Sequence, residues 1–196
     1  MKKIIMLNLM ALVLCSCSTN VKRLNTDTVT DLSGKWNDTD SKVVSEEMIN
    51  DISNQSFIEN KLKNSGKKPT IIVGNIRNLT SEHIQTGTFV KDLEKYLTNS
   101  GQFRLVANPY ERDQLRSERL DQKQWSRPET QKKLKAETGA DYILIGSIKK
   151  IFDNEGRTTI KFYQVNLELI DLESNEKNWI GSKKIKKQVK KPFLRW

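Results

Sequence analysis

Beyond residue 40 the apolar positions fall into runs with two distinct periods. Val44, Met48 and Ile52 recur every fourth residue, and Phe57, Ile58 and Leu62 extend that stripe. The spacing predicts one helix, capped by Asp40 or Ser41 and stopped by Gly66 and Pro69. Residues 70–76 (TIIVGNI) form a continuous β-branched run between turn signals, the pattern of a buried strand. A polar loop follows, and Phe89, Val90, Leu93, Tyr96 and Leu97 then return to helical spacing up to Asn99-Ser100-Gly101. Residues 103–107 predict a short strand, Pro109 opens a helix through about Leu120, Trp125 lies in a connection, and Pro128 opens another helix ending at Gly139. The rest of the chain shifts to a period of two. Residues 140–151 predict a strand, Asp153-Asn154-Glu155-Gly156 a hairpin turn, residues 158–172 a long strand, and residues 179–189 a last one. Tyr163, Val165, Leu167 and Leu169 would share one face. This order predicts a single α/β domain in which helices flank a mixed, mainly antiparallel sheet.

The N-terminal part has a different texture. Residues 18–39 are rich in Asn, Thr, Asp and Ser without periodicity, which reads as a tether. Trp36 is the exception: it either docks on the domain, the expected case, or touches a partner. Before the tether, Met1-Lys2-Lys3 precedes an apolar run from Ile4 to Leu14 interrupted by Asn8. Eleven residues are too few to span a bilayer as a helix, which needs roughly 17–25. The layout is that of a secretory signal. The chain's two cysteines, Cys15 and Cys17, close it. A zinc site needs four ligands, and the sequence adds only the single histidine, His83. Cysteines one residue apart also fit poorly to relaxed disulfide geometry. Leu14-Cys15-Ser16-Cys17 instead resembles the lipobox of bacterial lipoproteins, with Leu14 three before Cys17 and the small Ser16 just before it. That resemblance implies removal of residues 1–16, acylation of Cys17, a lipidated tether over 17–40 and a globular domain over 41–196. Ser18 after the acylated residue implies the outer membrane.

Charge changes the picture only in part. The formal net charge is +10, of which the predicted signal removes two lysines. Basic residues cluster late, at Lys183, Lys184, Lys186, Lys187, Lys190, Lys191 and Arg195. No aromatic platform or recognition helix accompanies them, so no nucleic-acid partner is expected. Ile185 and Val189 alternate with the lysines, which predicts a strand with one wet face. The alternative is an electrostatic docking surface for lipid head groups or acidic wall polymers.

No catalytic constellation emerges. His83 has no second histidine and no nucleophile motif beside it, and no phosphate-cradling glycine loop follows the first strand. Glu46 and Glu47 read as a solvated helix face. The chain is therefore expected to be a binding module and not an enzyme, with no metal and no cofactor.

Longer stretches carry a family resemblance. Residues 71–107, 137–148 and 163–182 resemble the LpoB family of outer-membrane lipoproteins that activate bifunctional penicillin-binding proteins. The most specific pieces are Asn75-Ile76-x-Asn78-x-Thr80 with Gln85-Thr86, and the strand entry Gly139-Ala140-Asp141-Tyr142. The hairpin from Val165 to Trp179 is similar also to curli-channel lipoproteins and to the N-terminal domain of TolB, so a TolB-N-terminal-like fold is expected. The LpoB resemblance implies a lipid at Cys17 held in the inner leaflet of the outer membrane, facing the periplasm. It also implies a monomeric domain that binds a peptidoglycan synthase and shifts it towards an active conformation. A subunit of an outer-membrane secretion or envelope complex, assembled as a ring, is the alternative. Loops on a rigid sheet are common contact surfaces, which points to Arg77, Asn78, Thr80 and His83. Against that, Asn78 and Thr80 could simply satisfy the turn's own backbone.

Overall fold

The computed structural model describes residues 21–192 except Asp27 and Ala136; the predicted signal, Cys17 and Arg195 lie outside the described residues. The chain divides into two compact units, Met1–Thr30 and Asp31–Trp196. In the first, the described residues form neither helix nor strand. The second holds every helix and strand of the described chain.

Its first helix starts earlier than the spacing predicts. Asn37, not Asp40 or Ser41, is the N-cap of α1 (Asp38–Ser53). The Asn37 side chain accepts from the Asp40 amide, and the Asp40 carboxylate accepts from the Asn37 amide. The expected single helix is in fact two. The polar run Ser53-Asn54-Gln55-Ser56 interrupts the stripe, and α2 (Ser56–Ser65) begins at its last residue. Gly66 ends α2 in the left-handed region, at φ 65°, in keeping with its expected role as a stop. β1 (Thr70–Asn78) leads to α3 (Thr86–Asn99), which buries Phe89, Leu93 and Leu97. β2 (Arg104–Leu105) precedes α4 (Pro109–Trp125). A capping box of Asn108 and Glu111 opens α4, and the helix runs on to include Trp125.

The helix expected over residues 128–139 does not form. Only a 3-10 turn, Pro128–Thr130, is present. Residues 131–135 offer a single large apolar side chain, Leu134, and it is 40% exposed, so no buried face would support a helix.

β3 (Tyr142–Glu155), β4 (Thr158–Asp171) and β5 (Lys177–Lys190) form the meander. The five strands lie in the order β2-β1-β3-β4-β5. β1 pairs in parallel with β2 and β3, while the longer β3–β4 and β4–β5 ladders are antiparallel. The fold is thus a single mixed α/β domain, as expected. Asp141 ties the entry of β3 to β1. Its backbone amide donates to the Thr70 carbonyl at 2.8 Å, and its carboxylate accepts from the Thr70 amide at 2.8 Å and from Lys61 Nζ at 3.1 Å.

The three helices that bury residues, α1, α2 and α3, pack on one face of this sheet. Val44, Met48, Ile52, Phe89, Leu93 and Leu97 meet Ile71, Val73, Leu144, Val165, Leu167 and Leu169 there. Trp179 closes the core and donates through Nε1 to Asp51 at 2.8 Å. The opposite face carries exposed Arg77, Lys149, Ile151, Ile180, Lys184 and Lys186, and no residue of α4 is buried.

Candidate functional site

A bulge in β1 aims the residues singled out by sequence. Val73 pairs with Leu144 and Ile76 with Gly146, so Gly74 and Asn75 together oppose Ile145. The extra residue reverses the alternation that follows. Ile76 returns to the core at 1% exposure, and Arg77 emerges on the open face opposite Ser147. Gly74 suits the site, because an added Cβ would sit 2.8 Å from Ile145 and 2.9 Å from Ile143 and push their side chains aside. A hollow of about 270 Å³ includes Arg77 in its lining, together with Asn75, Ile145, Ser147, Asn166 and Glu168. Glu168 is engaged by Lys177 at 2.8 Å.

Asn78 and Thr80 serve a different purpose. Asn78 Nδ2 donates to the Glu82 carbonyl at 2.7 Å, and its Oδ1 accepts from the Thr80 amide at 3.0 Å and the Thr80 hydroxyl at 2.8 Å. The Glu82 amide donates to Thr80 Oγ1 at 3.0 Å. The two side chains thus tie up the loop's own backbone. His83 is exposed, and its Nε2 lies 2.8 Å from the side-chain amide nitrogen of Gln85. The four residues therefore do not converge. Arg77 faces the open sheet, Asn78 and Thr80 set the loop, and His83 stands at its rim.

Sequence reasoning missed the residue between them. Glu82 turns inward, with its side chain only 10% exposed. Oε1 accepts from Lys150 Nζ at 3.1 Å and from Lys161 Nζ at 3.5 Å; Oε2 accepts from the Tyr163 hydroxyl at 2.6 Å. Burial pushes the carboxyl up, but hydrogen bonds from Tyr163 and Lys150 and the charges of both lysines outweigh it and hold it below the usual carboxylate range. Burial and then the hydrogen bond to Glu82 push the Tyr163 phenol well above its ordinary value. The partners lie 68 to 81 residues away, so no local pattern announces them.

The same cluster holds the start of the domain. Lys161 Nζ also donates to the Ser33 carbonyl at 3.1 Å, and the Tyr163 hydroxyl lies 3.3 Å from the Gly34 carbonyl. The Trp36 ring sits edge-on to Phe89 and Tyr163, with centroids at 6.1 and 5.8 Å, and Nε1 donates to Ser41 at 2.9 Å. Trp36 thus docks on its own domain, as expected. Lys187 completes the arrangement, bound to Asp40 at 2.6 Å and Asp31 at 2.8 Å. Burial pulls the Lys187 ammonium down, and the hydrogen bonds it donates to both aspartates more than restore it, so the charged form is favoured.

Among the described residues no three His, Cys, Asp or Glu side chains stand close enough to hold a metal. No helix there is long and apolar enough to cross a membrane. The loop is pinned from beneath by the Glu82 cluster, while Arg77 stands on the opposite face of the sheet. The family model of the peptidoglycan-synthase activator LpoB matches residues 40–185. The chain belongs to the LpoB family.

Several solved structures are similar. The LpoB C-terminal domain from Salmonella enterica shares 18% identity over 65% of this chain and 91% of that one, with a TM-score of 0.38. LpoB from Escherichia coli, solved by NMR, shares 17% over 88% and 82%, also with a TM-score of 0.38. The PelC dodecamer from Paraburkholderia phytofirmans shares 14% over 61% and 73%, with a TM-score of 0.35. No curated protein matches. Membership in the LpoB family rests on the family model. Within it, the matched span includes most of α1, the Asn78–Thr80 loop, the Asp141 tie and most of β5.

Proposed function

We propose that this protein is an outer-membrane-anchored lipoprotein that binds a bifunctional penicillin-binding protein and activates peptidoglycan synthesis. The observation that carries the reading is the match to the peptidoglycan-synthase activator LpoB over residues 40–185. The chemistry of the domain is consistent with it. The contact surface offers side chains for binding, and activation by binding needs only a difference in affinity for two states of the partner.

In this reading residues 1–16 are a signal peptide and Cys17 carries the lipid, with the domain working as a monomer in the periplasm. Several acyl chains are needed for firm anchoring, since one alone binds marginally. In this reading the tether starts at Cys17, and the second compact unit starts at Asp31, 14 residues on. Full extension between the two reaches roughly 50 Å at about 3.3–3.6 Å per residue. In cells fed labelled palmitate, the protein should incorporate label, and Cys17→Ala should abolish it; label retained by the variant would rule out lipid at Cys17.

Arg77 is the predicted contact among the four loop residues, because it is exposed and its side chain makes no ion pair among the described residues. Arg77→Glu should weaken binding of the lipid-free chain to the purified synthase by roughly tenfold, about 1.4 kcal/mol. Its melting temperature should stay unchanged. Equal affinity for variant and unaltered chain would remove Arg77 from the contact.

A further inference from the structure

Strand parity sorts the lysines of the hairpin into two populations. On the covered face every one has a carboxylate partner. Lys150 and Lys161 hold Glu82, Lys183 holds Glu47, and Lys187 holds Asp31 and Asp40. On the open face Lys149, Lys184 and Lys186 are exposed, and none forms an ion pair or side-chain hydrogen bond among the described residues. The ladders bring these three together. Gln164 pairs with Lys149 on one side and Lys184 on the other; one row on, Phe162 pairs with Ile151 and Lys186.

Apolar side chains lie beside them, Leu79 on the β1 side of β3, Ile151 on β3, and Phe162 on β4 next to Lys186. Ile151 is 68% exposed and Leu79 49% exposed. Leu79 continues past the end of β1, its amide donating to the Ile148 carbonyl at 2.8 Å. With Phe162 they line a hollow of about 340 Å³ bordered by Lys149 and Gln164. The carboxylates of this face offer no local answer: Glu168 is engaged by Lys177, and Asp153 lies towards the hairpin turn, opposite Ile160. Three lysines without a carboxylate partner, beside exposed Ile151 and Leu79, suit a partner that brings carboxylates together with an apolar side chain.

We propose that this hollow is a docking site for an acidic segment of a protein partner. One large apolar side chain of that segment would seat among Leu79, Ile151 and Phe162, and carboxylates flanking it would meet Lys149, Lys184 and Lys186. The inference deepens the activator reading and rests on it, taking the synthase as the partner. Complementary charge sets orientation and encounter rate, and the apolar anchor sets residence time.

The test uses the lipid-free chain and the purified bifunctional synthase in a surface-binding assay at two salt concentrations. Two variants are compared with the unaltered chain: Ile151→Asp, and the double variant Lys184→Glu with Lys186→Glu. All three positions are exposed, so the melting temperatures should agree, and melting is measured to confirm it. The expected result is at least a roughly tenfold loss of affinity for each variant, with the lysine variant also losing most of the salt dependence. Full affinity in both variants, with the unaltered chain still binding, overturns the docking site and leaves the activator reading standing. No binding by the unaltered chain overturns both. If the variants lose binding only to vesicles containing phosphatidylglycerol and keep the synthase, the face belongs to a membrane and the proposal fails.

Discussion

At the scale of single residues, Glu82 holds the domain's charged cluster together. A carboxylate 10% exposed, held between two lysines and a tyrosine, is costly to remove one partner at a time. Glu82→Gln leaves Lys150 and Lys161 buried without their counter-charge and should destabilise the domain by about 3–5 kcal/mol. The sign of its pH dependence follows from the lowered carboxyl. A group whose folded pKa lies below its unfolded value stabilises above the unfolded value and loses that contribution as pH falls through the folded one. Urea unfolding of the unaltered protein should therefore weaken as pH drops through and below the ordinary carboxylate range, and the gap to Glu82→Gln should narrow there. A gap of constant size from neutral to acid pH would contradict the assignment. Glu82 was not legible in the sequence, since its environment is built from residues far along the chain. Asn78 and Thr80 were legible as a turn, and the turn's own backbone is what they satisfy.

At the scale of elements, strand periodicity proved the clearest guide. The face of Tyr163, Val165, Leu167 and Leu169 is the buried one, each at 1% exposure or less. The same parity, counted from Trp179 through Ile185 and Val189, would have placed Lys183 and Lys187 inward. The density of lysines made β5 look like one wet face. Helix ends were less legible. The break between α1 and α2 had a signal, the polar run from Ser53 to Ser56, but an apolar stripe that resumes at Phe57 masks it. The β1 bulge has a signal only in Gly74, yet it decides which face Arg77 occupies. The segment from Asp31 to Trp36 looked like tether because it is polar, and its order comes from what it touches. Gly34 shows how closely it lies: at φ 59°, an added Cβ would fall 2.3 Å from Val189 Cγ2. Trp36→Ala removes two ring contacts and the bond to Ser41, and should cost roughly 2 kcal/mol, less than a fully buried Trp because the ring is only half-buried. Guanidinium unfolding checks it; a midpoint equal to that of the unaltered protein would mean the segment is not held by its tryptophan.

At the scale of the whole domain, the charges that hold the fold are separated from those open to contact. The covered face spends its charges internally, in pairs that hold the start of the domain to the sheet. The open face pairs Lys177 with Glu168 but leaves Lys149, Lys184 and Lys186 without a carboxylate partner beside exposed apolar side chains. A domain divided in this way is suited to act by binding, and the family it belongs to is that of the peptidoglycan-synthase activator LpoB. The most direct measurement is glycan-strand polymerisation by the purified bifunctional penicillin-binding protein of the same cell, with and without the lipid-free chain. An activator that works by binding should give a faster rate that saturates with added chain and is lost in the Lys184→Glu, Lys186→Glu variant. An unchanged rate at saturating concentrations of the unaltered chain would contradict activation.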